Sequence, residues 1–155
     1  MQDPPLEAGP GHFYRLAFQA MGTACQLLFA AHTRARAEDF KAQILAWLAG
    51  FEAAFSRFRP DSLICRINAA AGRDWVEIDA EAASLFALCD WFHWVTRGIF
   101  DPTSLPLLQL WDYHVPQPVL PASEQIEAAR SRIGWPRFRR EGRRAFLPEP
   151  GMGME

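Results

Sequence analysis

Phe40, Ile44, Trp47, Phe51, Phe55 and Phe58 recur at spacings of four, three, four, four and three. Side chains return to one face at that rhythm only in a helix, so the stripe predicts one long helix. Thr33 is its predicted N-cap, and Glu38 and Asp39 favour its first turns. Arg59-Pro60 ends it, because the residue before a proline avoids the helical region. Ahead of it, FYRLAFQAMGTACQLLFAA (13–31) reads as extended chain. Leu16, Phe18 and Ala20 alternate with other residues there, and Gly22 marks a break between two strands or a bulge.

The same signals organise the rest. Asp61-Ser62 caps a short helix in SLICRINAAAG that stops at Gly72. WVEI (75–78) is a short strand. Asp79 caps a second long helix, AEAASLFALCDWFHWVTR. Its predicted apolar face is Leu85, Cys89, Phe92 and Thr96, widened by Phe86 and Leu88, with Gly98 as C-cap. Ser123, Glu124 and Glu127 start a helix that closes at Gly134. Arg137 to Leu147 reads as two strands joined by Glu141-Gly142. Residues 1–12 form a Pro/Gly-rich leader expected to be disordered, and PEPGMGME reads as the approach to another element.

A chain of 155 residues, 50% hydrophobic and 13% aromatic, has material for one domain with a real core. Its net charge of −2 points to neither nucleic acid nor an anionic membrane as partner. Seven arginines between 130 and 144 read first as a solvated face and second as an anion patch, with no nucleic-acid motif beside them. Cys25, Cys65 and Cys89 lack a CxxC spacing and read as buried free thiols, which fits a reducing compartment. The N-terminus has no apolar h-region, and no stretch approaches the ~20 apolar residues of a membrane span. The expected location is therefore cytoplasmic.

No P-loop, GxGxxG, GxSxG or HExxH motif is present. His12, His32, His93 and His114 have no ligand-like spacing, and His93 in WFHW reads as a packed helical residue. Three loops stand out. In AMGTA (20–24), Gly22 serves either close approach to a ligand or a simple bulge. In FSRFRPDSLICRINAAAG (55–72), Ser56, Asp61, Ser62 and Asn68 interrupt a core-like stretch. There Phe58 is either core or an exposed stacking ring. In GIFDPTSLPLLQLW (98–111), Asp101 is either a turn residue capping the segment that follows or an acceptor for ligand N–H groups, held rigid by Pro102.

Together, Met21-Gly22-Thr23, the run S-R-F-R-P-D-S…N and G-x-F-D-P-T…P-L…L-W resemble the FAD:protein FMN transferase (ApbE) family, in order and in spacing. The resemblance covers residues 13–155. It implies an N-terminal portion of an FMN transferase domain, since family members are about twice as long and carry an acidic, Gly-rich motif and their metal ligands further on. It implies FAD as substrate and Mg²⁺ as cofactor, with transfer of FMN through a phosphoester to a Thr or Ser hydroxyl of a partner flavoprotein and release of AMP. Some relatives instead hydrolyse FAD to FMN and AMP. By resemblance the cofactor-binding residues are Met21, Phe58 (where relatives often place a stacking Tyr), Ile99, Phe100 and Asp101. Ser56, Ser62, Asn68, Thr103, Pro106 and Trp111 are bracing positions. No catalytic residue and no metal ligand is assigned to this chain, and alone it is expected to be inactive.

The expected fold is α+β, with antiparallel strands packed on two long amphipathic helices. By resemblance this is one lobe of an ApbE-like, T-fold-like domain whose C-terminal half is missing. Two other functions compete with a transferase portion: a flavin-binding fragment without catalysis, and an interaction domain built on the Arg-rich hairpin.

Overall fold

A computed structural model describes residues 3–111 and 120–155, and His114 lies outside them. The chain divides into two compact units, Met1–Ala54 and Phe55–Glu155.

In the first unit, β1 (Leu6–Ala8), β2 (Phe13–Ala20) and β3 (Thr23–Ala30) form an antiparallel sheet in the order β1-β2-β3. Leu16 pairs with Leu6 on one side and Leu27 on the other, and Tyr14 pairs with Phe29. Period-two alternation puts Tyr14 and Leu16 on one face, where they are buried with Leu6 and Ala37. β1 departs from the disordered leader expected over residues 1–12. Leu6 is 7% exposed, and closing one apolar face of β2 outweighs the loop-forming tendency of the Pro and Gly around it. The strand break at Gly22 is a two-residue hairpin turn. Met21 and Gly22 have φ of +51° and +70°, the sign that turns matching the twist of the strands require.

α1 (Arg34–Phe55) follows, and the Thr33 hydroxyl accepts from the Arg36 N–H at 3.3 Å. The helix begins where the sequence predicts but ends at Phe55, four residues before the expected stop at Arg59, and the face it buries is only partly the predicted one. Ala37, Lys41 and Leu48 are buried, while Phe40 and Trp47 are 40% and 51% exposed. Slim Ala37 lets the helix approach the sheet, and only part of the stripe joins that contact: the Phe40 ring lies 4.7 Å from the Phe29 ring and Ile44 packs on the same cluster, while Trp47 stays half-exposed. Phe58 lies beyond the helix end. Lys41 tolerates burial because its Nζ meets Asp3 at 2.8 Å and Glu38 at 3.7 Å.

The second unit is built from α2 (Leu63–Ala69), β4 (Val76–Glu77), α3 (Ala80–Val95), α4 (Leu105–Leu108), α5 (Ser123–Arg130), β5 (Arg139–Glu141) and β6 (Arg144–Phe146). The three strands pair antiparallel in the order β4-β6-β5. Ile64, Ile67, Phe86, Trp135, Phe138 and Leu147 are central to the core. The Asp79 carboxylate caps α3 by accepting from the Ala82 N–H at 2.8 Å, and the Ser62 hydroxyl caps α2 through the Cys65 N–H at 3.0 Å.

Only the first half of the α3 face behaves as expected. Phe86 is buried and Cys89 packs on the core, whereas Leu88 and Phe92 are exposed, as are Trp91, Trp94 and Val95. Burial pushes the Cys89 thiol up, and the Asp90 charge beside it adds to this. α5 ends at Arg130, four residues before Gly134.

Candidate functional site

Within the second unit, three stretches of chain converge. The first follows α1. The Ser56 hydroxyl accepts from the Phe58 N–H at 3.2 Å, the Cys65 thiol donates to the Arg57 carbonyl at 3.2 Å, and the Ser62 N–H donates to the Arg59 carbonyl at 3.0 Å. These bonds fix the loop from both ends while Phe58 stands out, 78% exposed. Arg57 lies 4.3 Å over one face of its ring. At the loop's far side, the Arg59 guanidinium holds the Asp61 carboxyl below the usual carboxylate range.

The second stretch is the turn after α3. Here Arg97 and not Gly98 takes the first left-handed position. The Arg97 N–H donates to Trp94 O at 3.1 Å and the Gly98 N–H to His93 O at 2.8 Å, a Schellman ending with a non-glycine residue at φ +53°. Thr96 Oγ1 accepts from the Phe100 N–H at 3.0 Å, and His93 Nδ1 lies 2.9 Å from the Phe100 carbonyl. A carbonyl only accepts, so His93 carries its proton on Nδ1 here. Ile99 is 90% exposed and Phe100 40%.

Asp101 points the other way. Its Oδ1 accepts from the Thr103 N–H at 2.8 Å and the Thr103 hydroxyl at 2.5 Å, and its Oδ2 accepts from the Trp135 N–H at 3.0 Å. Thr103 Oγ1 in turn accepts from the Gly134 N–H at 2.8 Å. The carboxylate expected to accept from a ligand is thus engaged inside the protein, with 13% of the side chain exposed. This is the geometry of the capped turn. Thr103 and Pro106 are buried and Trp111 is half-buried, as bracing residues should be.

The third stretch is 152–155, which sequence reasoning missed. Asn68 grips Met154 with both ends of its amide. Gly153 bridges Ser104 as in a parallel sheet, and the Glu155 N–H donates to Pro102 O at 3.1 Å. The Glu155 carboxylate meets Arg57 Nε at 2.8 Å. Glu155 therefore ties the Phe58 loop to the 101–104 turn. The legible signal was the alternating Gly in GMGME, since a Cβ on Gly153 would sit 3.0 Å from Leu105.

Of the five residues expected at a cofactor, Phe58, Ile99, Phe100 and Asp101 belong to this unit. Met21 belongs to the first unit, at the tip of the β2–β3 hairpin. It is 59% exposed, and its N–H donates to the Glu52 carboxylate on α1. Exposed rings and aliphatic side chains on braced loops offer stacking surface for a flat heteroaromatic ligand. Among the described residues, no cluster of three His, Cys, Asp or Glu is placed to hold a metal ion, and no helix is long and apolar enough to cross a membrane.

Solved structures define the class. The flavin transferase ApbE from Vibrio cholerae has a TM-score of 0.82 to this chain, over 97% of it and 48% of that protein, at 21% identity. The ApbE protein from Thermotoga maritima gives 0.78, over 92% and 47%, at 27% identity. The architecture is that of an α+β ApbE domain, present in part. The ApbE family model matches residues 21–155, and the chain belongs to that family. An FAD:protein FMN transferase from Chlamydia muridarum (strain MoPn / Nigg) is 32% identical over 81 residues, 52% of this chain and 26% of that protein. The chain spans about half the length of the solved relatives.

Proposed function

We propose that this chain carries part of the FAD site of an FAD:protein FMN transferase. The observation that supports it best is the family match across residues 21–155, which takes in all three braced loops. In the proposed reaction a Thr or Ser hydroxyl of a target flavoprotein attacks the FMN phosphorus of FAD. A new P–O bond forms as the bond to AMP breaks, AMP leaves, and the hydroxyl proton passes to solvent. Catalysis of this kind rests on positioning and on neutralising the developing charge. The share of this chain is binding: Phe58, Ile99 and Phe100 in the second unit offer contact surface for the flavin or adenine ring, and by resemblance Met21, in the first unit, is a cofactor-binding residue too. The Mg²⁺ implied by the resemblance finds no ligand set among the described residues, and no step assigned to them runs through it.

That same observation favours a second reading, in which the chain binds flavin without catalysing transfer. One experiment separates the two. FAD, Mg²⁺ and a target flavoprotein are mixed with the chain, with and without a polypeptide carrying the remaining half of the family fold. An FMN adduct seen by mass only when that half is supplied supports the transferase reading. FAD quenching with no adduct in either mixture supports the second. No FAD binding in either mixture overturns both.

A further inference from the structure

The turn at 98–101 presents apolar residues to solvent and turns its charged residue inward, the reverse of an ordinary surface turn. Ile99 is the most exposed large hydrophobic residue among those described, at 90%. Beneath it, four hydrogen bonds connect Asp101, Thr103, Gly134 and Trp135 at 2.5 to 3.0 Å. On the other side, His93 reaches the Phe100 carbonyl at 2.9 Å and stands 3.9 Å from Asp101 Oδ2. Thr103 is fully buried, so the carboxylate sits over a dry anchor where hydrogen bonds to a charged acceptor are strong. The helix end feeding the turn holds Arg97 in a left-handed conformation that L-residues avoid. A turn needed only to reverse the chain requires none of this.

We propose that Asp101 and His93 are positioning residues that clamp the turn from two sides, so that Ile99 and Phe100 form its ligand-facing edge. Asp101 fixes the C-terminal side through Thr103 and Trp135. His93 fixes the Phe100–Asp101 peptide through its carbonyl, which sends the peptide N–H to the opposite side. Among the described residues that N–H has no hydrogen-bond acceptor. The inference rests on the flavin reading for the identity of the ligand. The clamp itself does not depend on it.

The test pairs amide exchange with FAD fluorescence on the whole chain. Asp101→Asn replaces one acceptor oxygen by a donor, which faces either the Thr103 groups or the Trp135 N–H. Exchange should rise about tenfold or more on the side the new donor faces, either at Trp135 or at Thr103 and Gly134, and FAD affinity should fall about tenfold. Ile99→Ser should weaken FAD binding with those three amides unchanged. His93→Asn keeps a donor near the Nδ1 position and should retain affinity, whereas His93→Leu should lose it. Unchanged exchange in Asp101→Asn overturns the clamp. Lost affinity with unchanged exchange shows that the carboxylate touches the ligand directly, which also overturns it. Faster exchange with unchanged affinity overturns the presenting role. If the unaltered chain binds no FAD, the flavin reading and the presenting role fail together, and exchange alone still decides the clamp.

Discussion

The Asn68 side chain and the Met154 backbone form a closed pair: Nδ2 donates to the Met154 carbonyl at 2.8 Å, and the Met154 N–H donates to Oδ1 at 2.8 Å. An amide copies a peptide group, so Asn68 extends a strand-like pairing from a helix. Met154 is 1% exposed, and water cannot replace either bond. Asn68→Ala should lower unfolding stability by about 2–3 kcal/mol, because two buried backbone groups lose their partners. Asn68→Asp keeps one acceptor but sets a carboxylate against a carbonyl. It should be at least as damaging at neutral pH and recover in part in acid, where the carboxyl becomes a donor. Denaturant melts at two pH values check this.

Gly72 combines two constraints. Its φ is +73°, and a Cβ there would meet the Pro150 ring and nitrogen at 2.5 Å. Its N–H also donates to Leu147 O at 2.8 Å. Neither the proline ring nor the backbone can move aside cheaply. Gly72→Ala should therefore cost at least about 2 kcal/mol, well beyond the cost of the left-handed backbone alone. A drop in denaturation midpoint without a change in slope is the expected signature.

Caps were the most legible feature of the sequence, because capping is local. Asp79, Ser62 and Thr33 each accept from the backbone N–H three residues on, where their positions placed them. Burial was less legible. The stripe from Phe40 to Phe58 marks a helix that stops short at Phe55, and which side meets the sheet depends on close approach: Ala37, outside the stripe, is fully buried there, while Phe40 and Ile44 join the contact only in part. Leu6 sits in a Pro/Gly-rich stretch whose composition hides a strand, since β1 exists only through its pairing with β2. At the candidate site, the direction of Asp101 was not legible. A carboxylate before Pro looks alike whether it faces a ligand or Thr103 and Trp135, and the Trp135 contact spans 34 residues.

Met21 carries local strain at an exposed position. Its φ of +51° costs about 1 kcal/mol for a residue with a Cβ, and Gly at that turn position would not incur it. Met21→Gly should raise stability by up to that amount. The same change removes the thioether side chain proposed to contact flavin or adenine, so FAD affinity should fall. A thermal melt and an FAD titration on one protein check both halves. Unchanged affinity alongside higher stability would remove Met21 from the site.

Burial pushes the Cys89 thiol up, with the Asp90 charge a second cause and the nearby Arg140 guanidinium acting in the opposite direction. The thiolate is the reactive form, so a raised value means less of it at neutral pH. Alkylation at Cys89 should therefore be slower at pH 7 than for a free thiol and accelerate at higher pH than an unperturbed cysteine does. Mass mapping of the alkylated peptide against pH measures the shift. Asp90→Asn should move the profile toward lower pH, although the same change also weakens the bonds from the Trp135 indole and Arg140.

Phe58 separates stability from binding most cleanly. Its ring is 78% exposed and touches the Arg57 guanidinium at 4.3 Å, while Glu155 holds that guanidinium by Nε. Little of the ring is removed from water on folding, so Phe58→Ala should change stability by no more than about 0.5 kcal/mol. If the free face of the ring stacks on flavin or adenine, the same substitution should weaken FAD binding by about 1–2 kcal/mol, roughly five- to thirtyfold. Phe58→Tyr keeps the face and should keep the affinity. Arg57→Ala leaves the ring in place without its cation and the link to Glu155, so it should give a smaller loss than Phe58→Ala. FAD fluorescence titrations of the three variants rank these effects. A Phe58→Ala chain that binds FAD as well as the unaltered one would show that the ring is not a stacking surface.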